Sequence, residues 1–218
     1  MSTHTPYLDY IILASVSYPA GLSYSLYATL RGKPSKISTE LLVALLLPFV
    51  AVASVVAMLR PSLLSQPETT WWLLPAAVLL VPITFSLEYV IHGLEAWYAT
   101  GQIPHGISVQ SFWNCRLSVI DHILLGLIAA GEEIFFRLIW ISLMLSLSIS
   151  VPVALVVSSI AYGLNHLSFG GISVLSKGVS GFFYGALYLF GGQSIILPIV
   201  AHVLQNFALL RLTRERRG

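Results

Sequence analysis

The sequence predicts an all-α fold, a polytopic integral membrane bundle of about seven transmembrane helices. Three observations carry that prediction. Of 218 residues, 56% are apolar and only 9% are Asp, Glu, Lys or Arg, whereas about a quarter of an average soluble domain is charged. The mean hydropathy is +0.84. The apolar residues also gather into seven stretches, each near the roughly 20 residues a helix needs to cross a hydrocarbon core about 30 Å thick. A soluble enzyme, a disordered chain and a disulfide scaffold are excluded together. The lone Cys115 forms no internal bridge, and a net charge of +2 is too small for a nucleic-acid partner.

The first stretch runs from Tyr7 to Leu30 and stops at Arg31 to Lys36. It lacks a basic n-region and a clear small-residue cleavage site, so it reads as a retained helix. The second is Glu40 to Leu59, closed by Arg60 and Pro61. The third, Trp71 to Ile91, opens on a tryptophan pair suited to a membrane interface. His92 to Cys115 is too polar to span and reads as an interfacial or re-entrant segment. The fourth is Leu117 to Leu145, the fifth Val151 to Asn165, the sixth Ile172 to Phe190 and the seventh Ser194 to Leu210. No repeat or linker divides the chain, which reads as one domain over residues 1–218. Arg31, Lys33, Lys36 and the C-terminal arginines put the first loop and the tail in the cytoplasm, and so the N-terminus outside.

Charge inside such helices is costly, about 2.5–3.5 kcal/mol for each group at mid-span. No Asp, Glu, Lys or Arg occurs from Leu138 to Ser176 or from Gly178 to Leu210. Against that background the fourth span holds Glu132, Glu133 and Arg137. Successive helical residues point about 100° apart, so the two carboxylates face separate environments. Glu133 and Arg137, one turn apart in the favourable order, neutralise each other. Glu132 is left without a local partner and available as a general base or acid. The plainer alternative is that all three only tie helices together.

Two further polar pairs extend the pattern. Tyr162 and His166 share one helical face, and so do His202 and Asn206. An unpaired Glu, two His and an Asn on three spans supply a base, a water-orienting group and two donors for an oxyanion. Asp121 and His122 read as a solvated helix start, and Glu88, His92 and Glu95 as a solvated helix end. Gly178, Gly181 and Gly185 read as close helix packing, and Gly170 and Gly171 as the end of the fifth span.

In order, Glu132-Glu133-x-x-x-Arg137, Tyr162-x-x-x-His166 and His202-x-x-x-Asn206 resemble the motifs of the CPBP (CAAX protease and bacteriocin-processing, or Abi) family, which includes the CAAX prenyl endopeptidase. The resemblance covers about residues 117–210, a four-helix catalytic core. Tyr162 stands where Phe is usual and Leu138 where Gly is common, and neither change removes a polar group. The resemblance implies an intramembrane endopeptidase acting on a membrane-associated protein or peptide amid membrane lipid. Glu132 is then the base that activates water, His166 orients that water, and His202 and Asn206 donate to the oxyanion. Glu133 and Arg137 hold the geometry or engage the substrate backbone. No cofactor is expected. The alternative is a zinc site of Glu132, His166 and His202, for which no H-E-x-x-H helix is present. The length favours a prokaryotic member of the family. A non-enzymatic immunity or scaffold protein is the competing function.

Overall fold

The computed structural model describes residues 12, 19–32, 34, 37–65, 69–102 and 117–215. Among them the chain is helical, with no strand. In order come α1 (Pro19–Arg31), α2 (Thr39–Leu59), α3 (Leu74–Thr100), α4 (Val119–Glu133), a π-helical turn (Ile134–Ile139) and α5 (Trp140–Ser146). Then follow α6 (Val151–Leu164), α7 (Gly171–Phe190) and α8 (Ile196–Glu215). Each of the seven expected stretches is met by helix. Most of Tyr7 to Tyr18, the basic residues Lys33, Lys36, Arg216 and Arg217, and residues 103–115 of the interfacial segment lie outside the described residues.

Thr39–Leu59, Trp71–Thr100 and Gly171–Phe190 are long and apolar enough to cross a membrane, while Val151–Leu164 and Ile196–Arg211 are apolar but shorter. The outer faces carry large apolar side chains such as Leu22, Leu47, Leu79, Met58 (81% exposed) and Phe190 (85% exposed). The interior holds Glu132, Glu133, Arg137 and His202. Apolar outside and charged within suits lipid as the surrounding solvent. The fold is that of an integral membrane helical bundle.

Helix starts are set by capping residues. The Ser38 hydroxyl accepts from the Leu41 amide and opens α2. Ser118 and Asp121 form a reciprocal capping box that opens α4. The Thr39 hydroxyl donates to Asp121 at 2.6 Å and ties the two starts together. Asp121 is therefore a buried cap that joins two helices, and the expected solvated helix start is corrected. His122 bonds through Nδ1 to the Ser118 carbonyl at 2.7 Å and stacks on Phe207.

Helix α3 also departs from expectation, running past Ile91 to Thr100. Leu94, Glu95, Ala96 and Trp97 favour helix, so the backbone ladder continues where the polarity rises. It stops at Gly101, whose left-handed φ of 70° lets its amide reach the Trp97 carbonyl.

The α4–α5 rod is widened by its π turn, in which the Trp140 amide bonds to the Phe135 carbonyl. Such turns recur beside functional sites. The Ser158 hydroxyl, on α6, donates to the Phe136 carbonyl in the same turn. Phe135, Phe136, Ile139 and Ile141 are fully buried and pack with Phe49, Tyr162 and Tyr188 as the main core. Helices α6 and α7 pair closely because Gly163 lacks a side chain. A Cβ there would meet the Val174 carbonyl at 2.5 Å and Gly178 Cα at 3.1 Å. Helix α3 packs on α7 and α8, α2 on α4, and α1 on α2.

Candidate active site

Four helices converge on the carboxylates of α4. Glu132 ends on the bundle interior with each oxygen facing an imidazole. His166 Nε2 lies 3.8 Å from Oε1, and His202 Nε2 lies 3.7 Å from Oε2. Asn165 donates from Nδ2 to Oε1 at 3.4 Å. Glu132 is thus flanked on every polar side, although its own helix gives it no partner.

Glu133, fully buried, accepts from His202 Nδ1 at 2.8 Å. Its other oxygen lies 3.1 Å from Arg137 Nε, an ionic contact without hydrogen-bond alignment. One imidazole therefore spans both carboxylates, Nδ1 to Glu133 and Nε2 toward Glu132. That corrects the expectation that they occupy separate environments. Adjacent residues do diverge on a helix, but a ring with two opposed nitrogens reaches both from α8.

Arg137 has no exposed surface. Its Nη2 donates to the Gly181 carbonyl at 2.9 Å, and its guanidinium lies over the Tyr162 ring at 4.4 Å from the centroid. Gly181 makes this packing possible, since a Cβ there would meet Tyr162 Cδ1 at 2.6 Å. Arg137 is thus enclosed by Glu133, Gly181 and Tyr162.

The tautomers follow from the partners. His166 Nδ1 faces the Tyr162 carbonyl at 3.0 Å, and a carbonyl only accepts, so Nδ1 carries a proton. The same reasoning puts a proton on His202 Nδ1, opposite the Glu133 carboxylate. The Tyr162 ring meets both imidazoles edge-on, His166 at 5.1 Å and His202 at 6.0 Å. Its hydroxyl lies 3.4 Å from His202 Nε2. Asn206 is half-buried, and its side chain makes no hydrogen bond among the described residues.

Zinc would need its ligands to converge at about 2.0–2.2 Å on one point. Here the imidazoles approach opposite oxygens of Glu132, and among the described residues no three His, Cys, Asp or Glu side chains are placed to hold a metal ion.

A second polar network lies beside this one. Glu88 on α3 accepts from Lys177 at 2.7 Å, Ser180 at 3.1 Å and Gln205 at 3.0 Å. Gln205 accepts in turn from Thr84 at 2.7 Å and from the Tyr184 hydroxyl. Tyr184 stacks on the His202 ring, 5.1 Å between centroids. Glu88 is thus a buried partner of α7 and α8, correcting the solvated helix end; His92 and Glu95 do pair with each other at its more open side. The signal was present, because Lys177 is the one charged residue from Leu138 to Leu210, and a lone lysine in a membrane helix needs a carboxylate. Asn165 was also missed; a carboxamide next to His166 was the only sign of it.

A helical membrane bundle with a buried carboxylate between two imidazoles is the class that the fold and site define. Residues 116–208, which carry all three motifs, match the family model of the Type II CAAX prenyl endopeptidase Rce1-like proteins, in agreement with the CAAX-protease resemblance of the motifs. No curated protein and no solved structure matches the chain.

Proposed function

We propose that the chain is an intramembrane endopeptidase that hydrolyses a peptide bond through a water activated by Glu132. The observation that carries this reading is a buried carboxylate bracketed by imidazoles at 3.8 and 3.7 Å inside an almost uncharged bundle. Such separations are too long for direct hydrogen bonds and suit a bridging water. His166 Nε2 and Glu132 Oε1 both accept, so a water between them gives one hydrogen to each. Its lone pairs then face a substrate carbonyl.

As the water oxygen bonds to the carbonyl carbon, Glu132 takes its proton and the carbonyl oxygen becomes an oxyanion. Asn206 donates to that oxyanion. His202, held through Nδ1 by Glu133, faces the site with Nε2 and is the second group assigned to the oxyanion. Glu132 then passes the proton to the amide nitrogen, and the C–N bond breaks to leave a carboxylic acid and an amine. Glu133, Arg137 and Tyr162 act by holding His202 in place. No step is assigned to a metal.

The similarity of residues 116–208 to a CAAX prenyl endopeptidase model favours a substrate held at the membrane by a prenyl group or a hydrophobic tail. The basic residues after α1 and at the C-terminus favour an outside N-terminus and a cytoplasmic C-terminus.

The test uses the purified protein in lipid vesicles with an internally quenched farnesylated CAAX peptide and fluorescent casein as probes. Cleavage of either, confirmed by mass spectrometry and unchanged by a zinc chelator, is the expected result. No cleavage of either contradicts endopeptidase activity. Activity lost in chelator and restored by zinc contradicts the glutamate mechanism.

A further inference from the structure

Helix α1 lies outside residues 116–208, yet it touches the corner of the bundle where His166 and Glu132 meet. The contact is made by Asn165, the residue after α6, which is only 3% exposed. Its Oδ1 accepts the Ala20 amide at 3.0 Å, and its Nδ2 donates to Glu132 Oε1 at 3.4 Å. Ala20 sits in the first turn of α1, where backbone amides have no partner within the helix. An amide only donates and a carboxylate only accepts, so one orientation of the Asn165 carboxamide satisfies both neighbours. One turn further along α1, Tyr24 packs on Phe169, 6.1 Å between centroids, and Phe169 packs on His166 at 6.2 Å.

We infer that Asn165 is a positioning residue for Glu132, aimed by the first turn of α1. It occupies one lone pair of Oε1 and fixes the rotation of the carboxylate. The side of Oε1 that faces His166 is then left for the water. Asn165 and His166, adjacent in sequence, thereby grip the base and its water from one helix end. Helix α1 thereby supports the position of Glu132 through the Ala20 backbone amide. The inference rests on the endopeptidase reading above.

Two variants separate positioning from mere anchoring of α1. Asn165→Asp keeps an oxygen for the Ala20 amide but removes the N–H aimed at Glu132. Ala20→Pro removes that amide in the first turn of α1, where no bond within the helix depends on it, and leaves Asn165 and Glu132 in place. With the probe that the wild-type protein cleaves, kcat is expected to fall about 10- to 100-fold in Asn165→Asp. KM should stay within about twofold, and hydrogen exchange across α1 should remain that of the wild type. Ala20→Pro should lower kcat in the same direction. Wild-type kcat in Asn165→Asp overturns the inference, as does a fall in kcat that appears only together with faster exchange across α1. Absence of cleavage by the wild-type protein overturns the endopeptidase reading, and this role with it.

Discussion

His166, half-buried, and Arg137, fully buried, belong to the same cluster, yet their surroundings set them different tasks. His166 keeps Nε2 open toward Glu132, with Nδ1 tied to a carbonyl. His166→Ala is expected to lower turnover by about 100-fold or more while the unfolding temperature in detergent stays near that of the wild type; wild-type turnover would contradict its role. Arg137 is enclosed by Glu133, Gly181 and Tyr162, so its loss is first a loss of stability. Arg137→Met leaves the Glu133 carboxylate buried without its cation, which should cost about 3–5 kcal/mol, read by denaturant unfolding. Glu132, Glu133, Arg137, His166 and His202 were all legible in the sequence, because polar residues stand out in apolar spans. The pairings were less so. Helical spacing foretold the ion pair of Glu133 and Arg137, but nothing in it showed that His202 would reach both carboxylates.

Helices α6 and α7 approach through glycines, and the consequence is graded. A methyl group at Gly163 would meet a backbone carbonyl at 2.5 Å, whereas one at Gly181 would meet the Tyr162 ring edge at 2.6 Å and the Arg137 guanidinium at 3.2 Å. Gly163→Ala has no flexible neighbour to displace and should destabilise the bundle by at least the upper part of the about 1–3 kcal/mol range for overpacking. Gly181→Ala should cost less stability but move Tyr162 and Arg137. Its signature is then a fall in kcat larger than the unfolding measurement predicts, and equal effects of the two substitutions on stability would argue against this ranking. From the second stretch on, the elements were foreseen to within a few residues, apart from α3. There the end of the apolar run was taken for the end of the helix, whereas backbone bonding stops only at Gly101. The π turn was invisible, since Ile134 to Ile139 is an ordinary helical sequence.

At the scale of the molecule, the charges buried among the described residues are few, and Glu88, Glu133 and Arg137 are each answered from another helix. Glu88 and Lys177 join α3 to α7, and Gln205 and Tyr184 carry that junction to the ring of His202. Glu88→Ala leaves Lys177 unanswered and should destabilise the bundle by about 3–5 kcal/mol; replacing both residues by Leu should recover most of that, as read by unfolding of the reconstituted protein. No recovery would mean that the pair acts through something other than charge compensation. This long-range pairing could not be read from sequence, because the partners lie 89 positions apart on helices whose packing no local pattern encodes. The central claim is that Glu132 is the base. It is tested most directly by comparing Glu132→Gln with the wild-type protein in the same vesicles on the peptide that the wild type cleaves. The amide is nearly the same shape but takes up no proton, so cleavage should vanish while the protein still inserts and unfolds cooperatively. Glu132→Gln turning over at the wild-type rate would contradict the claim.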